Sequence, residues 1–276
     1  MVKPETQLQI GEFLKTVAEA PRALLMLDYD GTLAPFHNER DQAFPFPGIP
    51  PVLQEIVRSR HTRVVIVSGR DVSEVVALLG IQPSPEVWGV HGLQRRMPDG
   101  TLEIARIEER HLDALSDADR WLGYQQLRHT AEFKTGSIAV HWRGLSDWGA
   151  EEVRGRVLMG WKPIAEHSGL DMFEFDGGVE IRAPEDDKGD VVHVLLAEMD
   201  PGTPAAYLGD DATDERAFRA IRGLGMGALV RPRWRHTAAQ VWLKPPEEVL
   251  NFLEQWLEAC RKHDARGGAT SMTVGG

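Results

Sequence analysis

Ala23-Leu24-Leu25-Met26-Leu27-Asp28-Tyr29-Asp30-Gly31-Thr32-Leu33 is the stretch on which the fold turns. A continuous apolar run ends in two carboxylates one residue apart, followed by a glycine and a hydroxyl. Preceded by Pro21, such a run reads as a strand buried on both faces of a parallel sheet. In open α/β sheets ligands bind beyond the carboxyl ends of the strands, so Asp28 and Asp30 fall where chemistry happens. Gly31 allows a sharp turn or a close backbone approach. By itself the stretch fits equally a strand that ends in a solvated acidic turn.

The rest of the chain is compatible with the first reading. Its 276 residues fit one large or two smaller domains, and 42% hydrophobic and 26% charged residues are ordinary for a globular protein. A net charge of −11 argues against nucleic acid or an anionic membrane as a partner, but not against a phosphorylated small molecule. Cys260 is the only cysteine, which excludes an intrachain disulfide framework and a Cys-rich zinc site. Met1 to Gly11 lacks the apolar core of a signal peptide, and no apolar run approaches a membrane span, so the cytoplasm is the expected location.

Periodicity predicts a helix over 7–19 and a second buried strand over 63–67 that ends in Ser68-Gly69-Arg70. A helix over 71–79 follows, then a third strand end at Trp88-Gly89-Val90-His91-Gly92 and a tight turn at 97–101. Between about 101 and 182 the pattern changes to helix (111–127), strand (133–143), helix (147–167) and hairpin (172–182), an α+β insert. The α/β pattern then resumes with a helix opened by Lys188, a strand over 205–209 ending in Asp210-Asp211, and a helix over 213–221. A last strand over 225–230 and a closing helix over 249–260 complete it. The expected organisation is a Rossmann-like core of parallel sheet and helices (1–101 and 183–262), a smaller cap (102–182) and a disordered, Gly/Ser/Thr-rich tail (263–276).

Both acidic strand ends, Asp28/Asp30 and Asp210/Asp211/Asp214, should reach one rim of one sheet. Clustered carboxylates repel unless a cation neutralises them, and oxygen-only ligands favour Mg²⁺. That combination points to phosphoryl chemistry, with a carboxylate nucleophile and electrostatic clamps. Taken singly, Ser68 reads as a helix cap and Lys188 as a surface lysine.

Asp28-Tyr29-Asp30-Gly31-Thr32, Ser68-Gly69-Arg70, Lys188 and Gly209-Asp210-Asp211, in that order, resemble the four signatures of haloacid-dehalogenase (HAD) superfamily phosphatases. The resemblance implies Asp28 as nucleophile and Asp30 as general acid and then base. It implies Mg²⁺ on Asp28, the backbone carbonyl of Asp30 and Asp210, with Asp211 and Asp214 in support, and phosphate held by Ser68, Gly69 and Lys188. Gly209-Asp210-Asp211-Ala212-Thr213-Asp214-Glu215 and the position of the insert are similar to the trehalose-6-phosphate phosphatase family. That family's substrate motifs resemble Arg70 and His91 in the core and Glu132, Lys134, His141, Arg143, Glu180 and Arg182 in the cap. Pattern alone reads the four cap residues Glu132, Lys134, Glu180 and Arg182 as the solvated face of a half-exposed sheet. The implied reaction is trehalose 6-phosphate plus water giving trehalose and phosphate, with a trehalose-phosphate synthase as a candidate pathway partner. Alternatives are a phosphatase for another glycosyl phosphate, such as sucrose or glucosylglycerol phosphate, and a non-catalytic sugar-phosphate-binding regulatory domain. Gln94, where relatives carry glutamate, and Trp142, where they carry tyrosine, depart from the family pattern and bear on sugar selectivity.

Overall fold

The computed structural model of the chain describes residues 4–37, 39–175, 177–184 and 187–271. Its elements run α1 (Pro4–Glu19), β1 (Ala23–Leu27), α2 (Ile49–Ser59), β2 (Thr62–Val67), α3 (Val72–Leu79), β3 (Glu86–Gly89), β4 (Gln94–Arg96) and β5 (Leu102–Ile104). There follow α4 (Glu109–Tyr124), β6 (Ala131–Lys134), β7 (Ser137–His141), α5 (Asp147–Ser168), β8 (Asp171–Phe175) and β9 (Gly178–Arg182). The chain closes with α6 (Lys188–Ala197), β10 (Ala205–Gly209), α7 (Asp214–Ile221), β11 (Met226–Val230), β12 (Val241–Leu243) and α8 (Glu247–Ser271). It divides into two compact units, Met1–Glu103 with Asp187–Gly276, and Ile104–Asp186.

The first unit is built on a sheet of order β12-β11-β10-β1-β2-β3-β4-β5. The pairs from β12 to β3 are all parallel, and β4 turns back antiparallel on β3. Every residue of β1 is buried, as its unbroken apolar run requires. Leu25 and Leu27 face a core shared with α1, α2, α3 and α8, whereas Leu24 and Met26 face a second core under α6 and α7. From β1 the chain moves to β2 on one side, and β10 lies on the other, so the switch in strand order falls between β1 and β10. That crevice is where an open α/β sheet receives ligands, and Asp28 and Asp210 stand on its two lips.

The second unit is a four-stranded antiparallel sheet, order β6-β7-β9-β8. One face carries Ile138, Val140, Val179 and Ile181 against Trp161, Val157 and Leu122 of α5 and α4. The strand expected over 133–143 is a hairpin, with Lys134 opposite Ser137 across Thr135-Gly136. Gly136, at φ 72°, makes that turn, and the run of alternating residues on either side conceals it.

Two further corrections concern the end of the chain. The strand over 226–230 is not the last, because Val241-Trp242-Leu243 pairs in parallel beside it. The tail expected to be disordered from 263 is helical through Ser271, with 272–276 outside the described residues. Side chains tie that extension down: His263 stacks on His61 with ring centroids 4.2 Å apart, and Arg266 reaches Glu19 at 3.6 Å. No described helix is long and apolar enough to cross a membrane.

Trp256 of α8 is fully buried and donates from Nε1 to the Thr62 hydroxyl at 2.9 Å, locking the closing helix to β2. Trp256→Ala should therefore lower unfolding stability by about 3–5 kcal/mol in urea titrations, and a loss below about 1 kcal/mol would show that α8 is not part of the core.

Candidate active site

Parallel pairing puts the residues that follow β1, β2, β10 and β11 on one rim. Asp28 continues the ladder, its N–H donating to Leu208 O at 2.8 Å, and Ser68 does the same to Trp88 O at 2.8 Å. Gly31 has φ 78°, and a Cβ there would overlap the Asp210 carboxylate. The glycine of the opening stretch thus serves both a left-handed turn and a close approach. Gly209 leaves similar room for Asp214.

Lys188 is the first residue of α6, whose start is fixed by a capping box between Asp187 and Asp190. Its ammonium donates to Asp28 Oδ1 at 2.6 Å and to Asp214 Oδ1 at 2.7 Å, with all three residues buried. Thr32 donates to the other oxygen of Asp28 at 3.1 Å. Asp28, Asp210 and Asp214 bring one carboxylate oxygen each within 4.8 Å of one another. Burial, followed by the neighbouring carboxylates, pushes Asp210 up to about 9. Burial also pushes Asp28 up to about 7, against the pull of Lys188. Burial works against the Lys188 ammonium as well, but Asp214 and Asp28 outweigh it and hold the proton on. Three buried carboxylates around one ammonium, with only oxygen donors, fit a hard divalent cation.

The members of the cluster are not equivalent. Asp214 accepts Lys188 and Tyr207 (2.6 Å) on Oδ1, and the N–H groups of Asp210 (3.0 Å) and Asp211 (2.8 Å) on Oδ2. Those four donors occupy its acceptor sites, so Asp214 braces the loop while its carboxylate stays in the cluster with Asp28 and Asp210, in keeping with the supporting place expected for it. Asp211 is exposed, stands outside the cluster, and accepts its neighbour's N–H from Ala212 at 2.7 Å. The Asp210 carboxylate accepts no hydrogen bond from the described residues, which leaves it and Asp28 as the side chains able to take a cation.

Arg70 is engaged within the chain. Expected on the substrate, it donates from Nε and Nη2 to both oxygens of Asp30, each at 2.7 Å, and from Nη1 to Arg40 O at 2.7 Å. It is buried, and this fork fixes the acid that the sequence places two residues after Asp28. The Asp30 side chain is accordingly turned to Arg70 and not into the carboxylate cluster of Asp28, Asp210 and Asp214; the resemblance asks only for its backbone carbonyl there. Ser68 accepts the Arg70 N–H at 3.1 Å, across Gly69, and keeps its own hydroxyl proton to donate. The side chain of His91 lies outside the described residues.

In the second unit the sheet face opposite the helices brings together Glu132, Lys134, His141, Glu180 and Arg182. Glu132, Ala139 and Glu180 lie in one row across β6, β7 and β9, and Lys134, Ser137 and Arg182 in the next. His141 Nε2 is 3.0 Å from Glu132, Lys134 is 3.4 Å from Glu180, and Ser137 donates to Glu180 at 2.7 Å. Glu132, His141 and Arg143 share a cavity of about 410 Å³. The two departures from the family pattern fall on internal positions. Gln94 is buried and bridges Val72 N and Asp71 at the start of α3, and Trp142 packs against the helix-facing core. Sequence reasoning passed over Tyr207, Ser137 and Arg235, whose partners lie in other elements. Only Thr32 carried a local signal, as the hydroxyl of the opening stretch.

The sequence model for trehalose-phosphatase matches residues 26–243. The chain belongs to the trehalose-phosphatase family. A trehalose-phosphate phosphatase of Mycobacterium leprae is 30% identical over 257 residues, covering 86% of this chain and 58% of that protein. The chain thus spans less than two thirds of that relative. The C-terminal domain of a Candida albicans trehalose-6-phosphate phosphatase superposes with a TM-score of 0.74 at 19% identity, covering 90% of this chain and 96% of that one. A haloacid dehalogenase-like hydrolase of Bacillus subtilis superposes at 0.58 with 16% identity, covering 84% and 99%. The fold of this trehalose-phosphatase family member is therefore the α/β fold of HAD phosphatases.

The charge on this site sets a pH dependence. Asp28 and Asp210 keep their protons to higher pH folded than unfolded, where 3.8 is usual. Their contribution to stability is complete below about pH 4 and is lost as pH rises through about 7 and about 9. The metal-free protein should melt at progressively lower temperature from about pH 6 to about pH 9, and Mg²⁺ should raise the melting point more at the higher pH. A Mg²⁺ shift that is absent, or the same at both ends, would contradict this electrostatic description.

Proposed function

We propose that this chain hydrolyses trehalose 6-phosphate to trehalose and phosphate, with Asp28 as nucleophile. The observation that carries the reading is the contact of Asp28 with Lys188 beside the unpartnered Asp210 carboxylate, in the crevice between β1 and β10. Family membership supplies the substrate class.

Asp28 and Asp210 would hold Mg²⁺, which when bound supplies positive charge against the phosphate oxygens. Lys188 and Thr32 orient the Asp28 carboxylate from its two oxygens, leaving a lone pair to attack phosphorus. As the new bond to Asp28 forms, the bond from phosphorus to the sugar oxygen breaks, and Asp30 gives that oxygen a proton. Water then bonds to phosphorus, its proton passes to Asp30, and the bond to Asp28 breaks, releasing phosphate. Lys188 has a third N–H beyond its two carboxylates, and Ser68 has its hydroxyl proton; both are donors for the phosphate oxygens. Arg70 holds Asp30 by both oxygens, so proton transfer requires one oxygen to leave the fork. The polar face of the second unit, with Glu132, Lys134, His141, Arg143, Glu180 and Arg182, supplies paired acceptors and donors suited to sugar hydroxyls.

Asp28→Asn should lower phosphate release from trehalose 6-phosphate by on the order of 10⁴-fold or more while the circular dichroism spectrum stays native. The wild-type chain should favour trehalose 6-phosphate over sucrose 6-phosphate and glucose 6-phosphate in kcat/KM. Turnover by the Asn variant near the wild-type rate would overturn the nucleophile. A preference for another sugar would overturn the substrate alone, and binding without release of phosphate from any of the three would favour a regulatory role.

A further inference from the structure

The loop after β11, Arg231-Pro232-Arg233-Trp234-Arg235-His236, leaves the same rim as Asp210. Arg235 reaches across it. Its Nη2 donates to Asp211 O at 2.7 Å and lies 3.5 Å from Asp210 O, and its Nη1 donates to His236 O at 3.0 Å and pairs with Glu215. Glu215 in turn accepts the Ala238 N–H at 2.8 Å, so the ion pair ties the 231–238 loop to the first turn of α7. The Asp210–Asp211 segment is therefore held from two directions: Asp214 takes its N–H groups, and Arg235 takes the Asp211 carbonyl and shares the Asp210 carbonyl with Arg231, each at 3.5 Å. The Asp210 carboxylate accepts no hydrogen bond from the described residues, so its direction depends on this backbone and on the space left at Gly31.

We propose that Arg235 is a positioning residue that, paired with Glu215, sets the divalent-cation affinity of the Asp28/Asp210 pair. The inference rests on the metal assignment made for the phosphatase reading. It has a sign that simple electrostatics does not share. A guanidinium beside a cation site repels the cation, so removing it would tighten cation binding if charge were all that mattered. Loss of positioning weakens binding instead, because outer partners that orient metal ligands are worth about 10–100-fold in affinity.

The experiment is a calorimetric titration of the metal-free full chain with Mg²⁺, comparing wild type, Arg235→Ala, Arg235→Lys and the exposed control Arg219→Ala. Arg235→Ala should bind Mg²⁺ about tenfold more weakly or worse, and Arg235→Lys, which keeps the charge but loses the fork, should fall between it and wild type. Arg219→Ala should match wild type. At saturating Mg²⁺ the KM of Arg235→Ala for trehalose 6-phosphate should stay within about twofold of wild type, which a general loss of structure would not allow. If Arg235→Ala does not fold, Arg235→Lys carries the test. Unchanged or tighter Mg²⁺ binding by a folded Arg235 variant overturns the inference. Wild-type protein that binds Mg²⁺ but releases no phosphate would overturn the phosphatase reading and leave this inference standing, whereas wild type that binds no Mg²⁺ overturns both the metal assignment and the inference.

Discussion

The buried ammonium of Lys188, shared between Asp28 and Asp214, is the contact on which the site depends. It joins three pieces of chain that meet nowhere in sequence: the end of β1, the start of α6 and the start of α7. One positive charge for three clustered carboxylates is too few, and the protein meets the deficit unequally. Asp214 is saturated by four donors and becomes part of the framework. Asp28 keeps one contact on each oxygen. Asp210 is left with none from the described residues, and burial pushes it up to about 9. Removing one partner from such a group strands a buried charge, which is far more costly than the pair is stabilising. A hard divalent cation between Asp28 and Asp210 would relieve this imbalance.

The fold makes this arrangement possible by sheet order. Asp28 and Asp210 are distant in sequence but lie on adjacent parallel strands, with Leu27 opposite Leu208 one step before them. Gly31 then turns the backbone away so that the Asp210 carboxylate can occupy the space a side chain would fill. A second layer of contacts, Arg70 on Asp30 and Arg235 on the Asp210–Asp211 backbone, holds the acids from behind.

Strand ends, and with them the acids of the candidate site, were legible because a buried parallel strand is a continuous apolar run and its first polar residue marks the rim. The α/β core and the α+β insert followed from the change in periodicity. What could not be read was partnership across the fold. Arg70 finds Asp30, Tyr207 finds Asp214 and Arg235 finds Asp211 only after the sheet is assembled, so no local pattern announces these contacts. The short strand β12 and the 131–141 hairpin escaped because three residues, or two runs separated by Thr135-Gly136, give periodicity too little to act on. The helix through Ser271 escaped because its anchors, His61 and Glu19, lie at the other end of the chain.

The central claim is that Asp28 takes the phosphoryl group. The most direct measurement is acid quenching of the wild-type chain during a single turnover of trehalose 6-phosphate with Mg²⁺, followed by borohydride reduction and peptide mass mapping. The account predicts reduction confined to Asp28, in an amount that rises and decays with phosphate release. Turnover with no modified carboxylate at any time, or modification at Asp30 or Asp210 with Asp28 intact, would contradict it.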